Sequence, residues 1–228
     1  MCGRYTLSAP ADVLAELFDL DEVPELVARY NMAPTQLGAV VRAHGPTRRL
    51  EMMRWGLVPA WAKDRAMGSR LINARAETVA EKPAFRSSFR HQRCLVPADG
   101  FYEWQRLGTG KQPFHVRLRT GDPFAFAGLW SRWQDPESGE LRTFTLLTTE
   151  PNELLRSIHH RMPVILRRED HARWLAAADG QTLSSLSRPY PAGEMEAVPV
   201  SRLVNSPAHD DVRCQEAIGH VLRWPPLP

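Results

Sequence analysis

Polar and apolar residues alternate over many short stretches of this chain, a pattern typical of strands that bury one face. The alternation is clearest at Phe114, Val116 and Leu118. Turn-forming sequences separate several stretches, among them Gly-Thr-Gly-Lys at 108–111 and Asp-Pro-Glu-Ser-Gly-Glu at 135–140. The pattern predicts strands at 3–7, 38–43, 49–57, 94–97, 101–106, 112–118, 124–131 and 142–149.

Apolar residues at helical spacing are fewer, and they fall between or after the strands. The pattern predicts helices at 10–18, 76–81, 151–157, 169–177 and 181–186. Because strands and helices do not alternate as βαβ units, a doubly wound parallel sheet is disfavoured. We therefore predict an α+β fold, a single compact strand-rich domain over 2–222 with peripheral helices. The proline-rich end of the chain, 223–228, is predicted to be a loose tail.

The composition excludes several classes of protein. With 228 residues, 43% of them hydrophobic and 24% charged, the chain has an ordinary globular composition. It has no long apolar run and no signal-peptide pattern, so we expect a cytoplasmic protein with no membrane partner, and a monomer by default. Cys2, Cys94 and Cys214 are too few for a disulfide framework. Without zinc-ligand spacing or a glycine-rich phosphate motif, we expect no metal and no cofactor.

Charge is unevenly distributed along the chain. Residues 1–41 contain two basic and six acidic residues, whereas 42–93 contain twelve basic and four acidic ones. Only three of the 29 basic residues are lysine. Arginine binds phosphate through two parallel hydrogen bonds, so this clustering favours a polyanionic partner such as nucleic acid. A GC-rich genome would also favour arginine, and the ratio alone leaves both explanations open.

Cys2 is the sharpest chemical feature of the sequence. Initiator methionine is normally removed before a small residue, so we expect the mature chain to begin Cys-Gly-Arg. The α-amine of Cys2, with an ordinary pKa of about 7.7–8, is then partly neutral at pH 7, and a thiol lies on the adjacent carbon. Such a 1,2-aminothiol attacks an aldehyde twice, first forming a Schiff base and then closing a thiazolidine ring. Attack on an amide, or a purely structural cysteine, remains open.

Three further segments carry candidate functional groups. In 71–78, Asn73 and Arg75 share one face if the segment is extended. In 97–104, Glu103 lies between aromatic neighbours, and burial there would raise its pKa and suit it to proton transfer. In 158–166, His159 and His160 precede Pro163 at a helix end, where histidine is suited to moving protons near neutral pH. For each segment a structural role is also open: a strand end, an exposed strand glutamate and a surface histidine pair.

Seven segments in order resemble the SOS-response-associated peptidase family, whose members crosslink covalently to abasic sites in single-stranded DNA. Each segment is a weak signal, but the ordered set is specific and spans about residues 2–205. The segments are MCGR at the start, RYNMAP at 29–34, RWGLVPAW at 54–61, LINARAET at 71–78, PADGFYEW at 97–104, IHHRMPVIL at 158–166 and VPVSRLVN at 198–205.

The resemblance implies one compact α+β domain with a strand-rich centre and a basic DNA-binding groove. It implies that Cys2 forms a thiazolidine with the aldehyde of the ring-opened sugar. Asn73 would orient the reacting groups, and Glu103 would open the sugar and move protons. His159, rather than His160, would assist Schiff-base formation and crosslink reversal.

The resemblance also implies contacts with DNA and a second activity. The second activity is a peptidase that removes residues preceding the cysteine, which here means Met1 alone. Some members carry two consecutive tryptophans where this chain has Trp61-Ala62, so one stacking surface is expected to be missing. The matching DNA contacts are Arg4, Pro34, Trp61, Arg75, Thr148 and Arg161.

Three other functions are compatible with parts of the sequence. Glutamine amidotransferases also begin Met-Cys-Gly, but no matching Asn-Gly oxyanion segment follows here. A non-covalent binding module for single-stranded nucleic acid would need the basic groove but not Cys2. A dedicated cysteine protease would use Cys2, His159 and Glu103 to cleave peptides in trans.

Overall fold

The structure, a computed structural model, describes residues 2–135, 139–177 and 179–225. The strands are β1 (Tyr5–Leu7), β2 (Arg29–Met32), β3 (Leu37–His44), β4 (Thr47–Trp55), β5 (Asn73–Arg75), β6 (Arg93–Ala98), β7 (Gly100–Leu107), β8 (Gly110–Leu118), β9 (Phe124–Asp135), β10 (Gly139–Thr149), β11 (Met162–Pro163), β12 (Ile165–Leu166), β13 (Met195–Pro199) and β14 (Leu222–Arg223). The α-helices are α1 (Ala11–Phe18), α2 (Arg86–His91), α3 (Glu153–Arg156), α4 (His171–Ala176) and α5 (Gly180–Leu186).

Five strands close into a barrel at the centre of the molecule. Strand β10 pairs in parallel with β4, and β4, β3, β6 and β9 follow in antiparallel order until β9 pairs again with β10. Closure satisfies the backbone hydrogen bonds that an open sheet leaves at its edges. The short strands β5 and β11 add to β10, and β12 adds to β9.

A second sheet packs against the barrel and contains the N-terminal strand. Its strand order is β14-β13-β8-β7-β1-β2, so β1 lies between two antiparallel partners. Tyr5 of β1 is fully buried between the sheets and meets Trp55 and Phe126 edge-on, at ring-centroid distances of 5.2 and 6.0 Å. Burial of three large aromatic side chains stabilises the join between the two sheets.

The α-helices cover the outside of the barrel. Helix α1 buries Leu14 and Phe18, four residues apart on one face. On α4, Trp174 is fully buried and its indole N–H donates to the carbonyl oxygen of Cys94 at 2.9 Å, which fixes the helix to β6.

The predicted single strand-rich α+β domain is confirmed, and the eight predicted strands are all present with shifted ends. The helix predicted at 76–81 is wrong, because the segment forms turns. The N–H of Ala76 donates to the carbonyl oxygen of Thr148 at 2.9 Å and so extends the β5–β10 pairing beyond the strand. Pro83 then disfavours a helical conformation for Lys82.

Other differences concern short elements. The predicted helix at 151–157 is the four-residue α3, and the start of 169–177 is a 3-10 helix before α4. Helix α2 was not predicted, because its sequence has only Phe89 and the preceding Phe85 at helical spacing. The predicted tail begins with Arg223, which belongs to β14, and 226–228 lie outside the described residues, as do 136–138 of the predicted β9–β10 turn.

The turn into β7 has no room for a side chain. Gly100 pairs with Thr6 of β1, and a Cβ at Gly100 would collide with the imidazole of His115. That ring is buried, and its Nε2 lies 3.2 Å from the hydroxyl of Thr6. Asp99 accepts hydrogen bonds from the hydroxyls of Thr6 and Ser8, so the turn and β1 are bound together.

We expect Gly100→Ala to lower the free energy of unfolding by about 1–3 kcal/mol, because the added methyl group overpacks the site. Urea unfolding followed by circular dichroism measures the change. The matched control is Gly180→Ala at the start of α5, where no atom lies near the added methyl group. Equal stability of Gly100→Ala and the wild type would contradict the packing argument.

Candidate active site

Strand β1 places Cys2 in the interior of the protein. The carbonyl oxygen of Arg4 accepts from the N–H of Tyr102 at 2.9 Å, so the chain stays paired with β7 just before β1 begins. Cys2 is fully buried, and its thiol donates to the same Arg4 oxygen over 3.7 Å. Burial, and secondarily the charge of Glu103, raises the pKa of the thiol well above its ordinary range. The thiol is therefore protonated at neutral pH.

Asn73 holds the main chain at Cys2. It lies at the start of β5, where parallel pairing with Leu146 of β10 fixes its position. Its amide nitrogen donates to the carbonyl oxygen of Cys2 at 2.8 Å. Its side-chain oxygen is buried and accepts no hydrogen bond from the described residues. A buried acceptor left in this way costs about 1–3 kcal/mol, so it can serve a reacting group that enters the site.

Glu103 is the carboxyl group of the site. It lies on β7, pairs with Phe114 of β8, and is only 2% exposed. Burial raises its pKa to about 7. Both protonation states are therefore populated near neutral pH, which is the condition for efficient general acid–base catalysis.

His159 faces this carboxyl group. Its Nδ1 lies 3.9 Å from Oε2 of Glu103, a close approach that is too long for a hydrogen bond. The backbone N–H of Arg161 donates to the same nitrogen at 3.1 Å. Burial lowers the pKa of His159 to about 4, so the imidazole is neutral at pH 7. The exposed His160 stacks on His159 with ring centroids 4.3 Å apart, so the two neighbours differ in burial and only His159 faces Glu103.

Arg161 joins the segment that carries His159 to Thr148 of β10. The guanidinium of Arg161 donates to the backbone oxygen of Thr148 at 2.6 Å and forms two bonds, of 2.6 and 2.9 Å, to the carboxylate of Glu77. Thr148 is fully buried at the end of β10. The structure therefore brings together Thr148 and Arg161, the two residues expected to contact DNA here. Both side chains already bond to other protein groups.

Arg4 is also held by the protein. Its guanidinium donates to the side-chain oxygen of Asn31 at 2.8 Å and to the backbone oxygens of Val204 and Asn205 at 2.6 and 3.1 Å. Asn31 in turn donates to the backbone oxygen of His209 at 2.7 Å. These bonds join the N-terminal segment to the segment 201–215.

The remaining expected contacts lie at the surface. Trp61 is 58% exposed, an unusual position for so large an apolar side chain, and it suits stacking with a base. The side chain of Arg75 is exposed and forms no hydrogen bond or ion pair with the described residues. Pro34 is half-buried in the turn after β2.

Sequence reasoning assigned no role to two residues that support the site. Glu77 and Asn31 hold Arg161 and Arg4 through the bonds described above. Both residues lie inside recognised segments, LINARAET and RYNMAP. The segments mark them as part of the family pattern, but the sequence does not show which arginine each one binds. Among the described residues, no cluster of histidine, cysteine, aspartate and glutamate could hold a metal ion, and no helix is long and apolar enough to cross a membrane.

Comparisons with known proteins agree with these observations. The family model described as SOS response associated peptidase matches residues 1–207. The abasic site processing protein YoqW of Bacillus subtilis is 47% identical over 216 residues, which are 92% of this chain and 96% of that protein. The abasic site processing protein YedK of Escherichia coli is 31% identical, over 90% of this chain and 95% of its own length.

The fold agrees with a crystal structure as well. A protein from Bacteroides thetaiotaomicron superposes with a TM-score of 0.86 at 27% sequence identity. The match covers 95% of this chain and 99% of that one.

We expect Glu103→Gln to change the pH dependence of stability. The ordinary pKa of 4.5 rises to about 7 in the folded protein, so the folded state keeps a proton that the unfolded chain releases. The stability contributed by the protonated carboxyl is complete below pH 4.5 and is lost as pH rises through 7. Relative to Glu103→Gln, the wild type should lose up to about 3 kcal/mol from about pH 5 to pH 8.

Urea unfolding of both proteins at the two pH values measures this difference. Histidines with lowered pKa titrate in both proteins, so they cancel in the comparison. Glu25→Gln, which alters an exposed carboxylate, is the control. A stability difference between wild type and Glu103→Gln that stays constant with pH would contradict the raised pKa.

Proposed function

Because the chain belongs to the SOS response associated peptidase family, we propose that it binds single-stranded DNA and joins itself covalently to abasic sites. Relatives that share 31–47% of their residues with it are named abasic site processing proteins. The placement of Cys2 with Asn73, Glu103 and His159 supports the proposal most strongly. These groups provide the nucleophiles, the orienting amide and the proton carriers that an aldehyde reaction requires.

Two exposed side chains suit contact with a single strand. Trp61 offers an aromatic face to a base, and Arg75 offers a cation to a phosphate. Arg4 and Arg161 are bonded within the protein, and they contact DNA through donors that these bonds leave available. Pro34, half-buried after β2, completes the proposed contact surface, and the buried Thr148 supports it by accepting a hydrogen bond from Arg161.

The reaction begins when the abasic sugar opens to its aldehyde. Glu103, with a pKa of about 7, donates a proton to the ring oxygen as its bond to the anomeric carbon breaks. The neutral imidazole of His159 accepts the proton of the anomeric hydroxyl, which becomes the aldehyde oxygen. After removal of Met1, the α-amine of Cys2 attacks the aldehyde carbon, and loss of water gives a Schiff base. Asn73 holds the Cys2 carbonyl during the attack, which limits the motion of the amine.

Ring closure then uses the thiol. The Cys2 sulfur adds to the Schiff-base carbon, and the thiol proton moves to the nitrogen, so a thiazolidine forms with one water released overall. The thiol is neutral before the attack, so a nearby base must accept its proton. Glu103 and the neutral imidazole of His159 are the available acceptors. In reverse, the same two groups return the protons.

The family description also names a peptidase. A peptidase step in this chain would add water across the peptide bond before Cys2, which releases Met1 with a carboxyl group and frees the Cys2 amine, with Glu103 and His159 moving the protons. Ordinary methionine removal would give the same product, so the crosslinking proposal does not depend on this step.

We expect a covalent adduct with DNA that depends on Cys2. Protein shown by mass spectrometry to lack Met1 is mixed with single-stranded DNA carrying one abasic site, and a denaturing gel measures the heat-stable shifted band. The band should form with the wild type and disappear in Cys2→Ala, because the variant lacks the thiol that closes the ring.

Two controls accompany this gel. Cys94→Ala changes another fully buried cysteine and should keep the band, and DNA without a lesion should give none. No band with processed wild type would overturn the proposal and favour an amidohydrolase or a non-covalent binding module. A glutaminase assay on the same sample separates those two.

We expect Arg75→Ala to reduce the salt dependence of binding to intact single strands. Loss of one phosphate contact should lower the slope of log affinity against log salt by about 0.7–1. Fluorescence anisotropy over a salt series measures it. Arg90→Ala, an exposed arginine on α2, should leave the slope unchanged. Equal slopes for Arg75→Ala and wild type would remove Arg75 from the contact surface.

A further inference from the structure

Glu77 and Arg161 form a tightly constrained ion pair beside the site. Both terminal nitrogens of the guanidinium donate to the carboxylate, at 2.6 and 2.9 Å, and one of them also donates to the backbone oxygen of Thr148 at 2.6 Å. The Arg161 side chain is only 12% exposed, whereas Glu77 is 49% exposed. Two parallel bonds on one edge and a third from the side leave the planar guanidinium a single orientation.

The pair connects elements that are distant in sequence. Glu77 lies in the turn after β5, and Arg161 directly precedes β11. Both strands pair with β10 near Thr148, β5 in parallel and β11 antiparallel. The ion pair therefore joins the turn after β5 to the loop before β11 across the end of β10. Without it, only the two-residue β11 would hold that loop in place.

The main chain of Arg161 carries this constraint to His159. Its N–H donates to Nδ1 of His159 at 3.1 Å, and its carbonyl oxygen lies 3.2 Å from the same nitrogen. That ring nitrogen is the one that faces Glu103. A shift of the Arg161 backbone would therefore change both the orientation of the imidazole and the hydrogen bond that selects its tautomer.

We propose that Glu77 is a positioning residue for His159. It anchors the Arg161 side chain, which in turn fixes the Arg161 backbone that bonds to the imidazole. This proposal rests on the proposed function for its kinetic readout. Glu77 touches none of the reacting groups. It keeps the imidazole beside Glu103, with Nδ1 3.9 Å from the carboxyl oxygen and bonded to the Arg161 N–H.

A competing role would make Glu77 a substitute for phosphate that DNA must displace from Arg161. The burial of Arg161 disfavours that role, since a phosphate would have to enter the space that Glu77 fills. The exposed Arg75, two residues before Glu77, presents a more accessible cation. The two roles predict opposite effects on DNA affinity.

Glu77→Gln tests the proposal, because an amide keeps one acceptor but turns a donor toward the guanidinium. The rate of crosslinking is measured against DNA concentration for processed protein and abasic single strands. We expect the rate at saturating DNA to fall on the order of tenfold. The half-saturation concentration should change less than the rate, and the pH profile of the rate should move.

Two further variants make the result specific. Glu77→Asp keeps the carboxylate and should restore part of the lost rate. Glu194 is similarly exposed, at 46%, and forms an ion pair with Arg167 at 2.5 Å outside the site. Glu194→Gln removes this carboxylate and should react like the wild type. Tighter DNA binding by Glu77→Gln would support competition with phosphate and overturn the proposal, as would an unchanged rate.

Nitrogen NMR gives a readout that does not require DNA. The ring nitrogens of His159 are assigned by their loss in His159→Gln. In Glu77→Gln the Nδ1 resonance should shift, and in Glu194→Gln it should not. An unshifted resonance overturns the positioning role even if no crosslink forms, whereas failure of the wild type to crosslink overturns the proposed function and leaves this measurement intact.

Discussion

The pairing of β1 between β7 and β2 is the constraint on which the rest of the site depends. The first residues of a chain are ordinarily among its most mobile. Here the hydrogen bond from Tyr102 to the Arg4 oxygen continues the pairing toward Cys2, and Asn73 holds Cys2 from the barrel side. The proposed nucleophile, which would otherwise sample many positions, is held in one, so much of the entropy of reaching a reactive geometry is lost on folding.

Burial gives the fixed groups their chemical character. Removing water raises the pKa of Glu103 to about 7 and lowers that of His159 to about 4, so an acid and a neutral base coexist at physiological pH. The same burial keeps the Cys2 thiol protonated until a base accepts its proton. Desolvation in the sheet interior thus shifts these pKa values, whereas a solvent-exposed site would need additional nearby charges to shift them.

Prediction from sequence succeeded where a pattern is local. The apolar–polar pattern located the seven longest strands and β1 but not β2 or β13. The ordered motifs named Cys2, Asn73 and Glu103, which the structure brings to one place. It failed at 76–81, because the backbone of Ala76 is paired with a strand about seventy residues away. No local propensity reports such a partner. The short strands β11 and β12 share this dependence on distant residues.

The sequence by itself determined the strand-rich class, the basic stretch and the residue types of the site, because periodicity and side-chain chemistry are local properties. Tertiary structure decided which histidine faces Glu103. His159 and His160 are adjacent in sequence, but only His159 is partly buried beside Glu103, whereas His160 is exposed. It also decided that Arg161 is bonded to Glu77 and Arg4 to Asn31. Ion pairing, desolvation and barrel closure depend on residues far apart along the chain, and only the folded chain brings them within bonding distance.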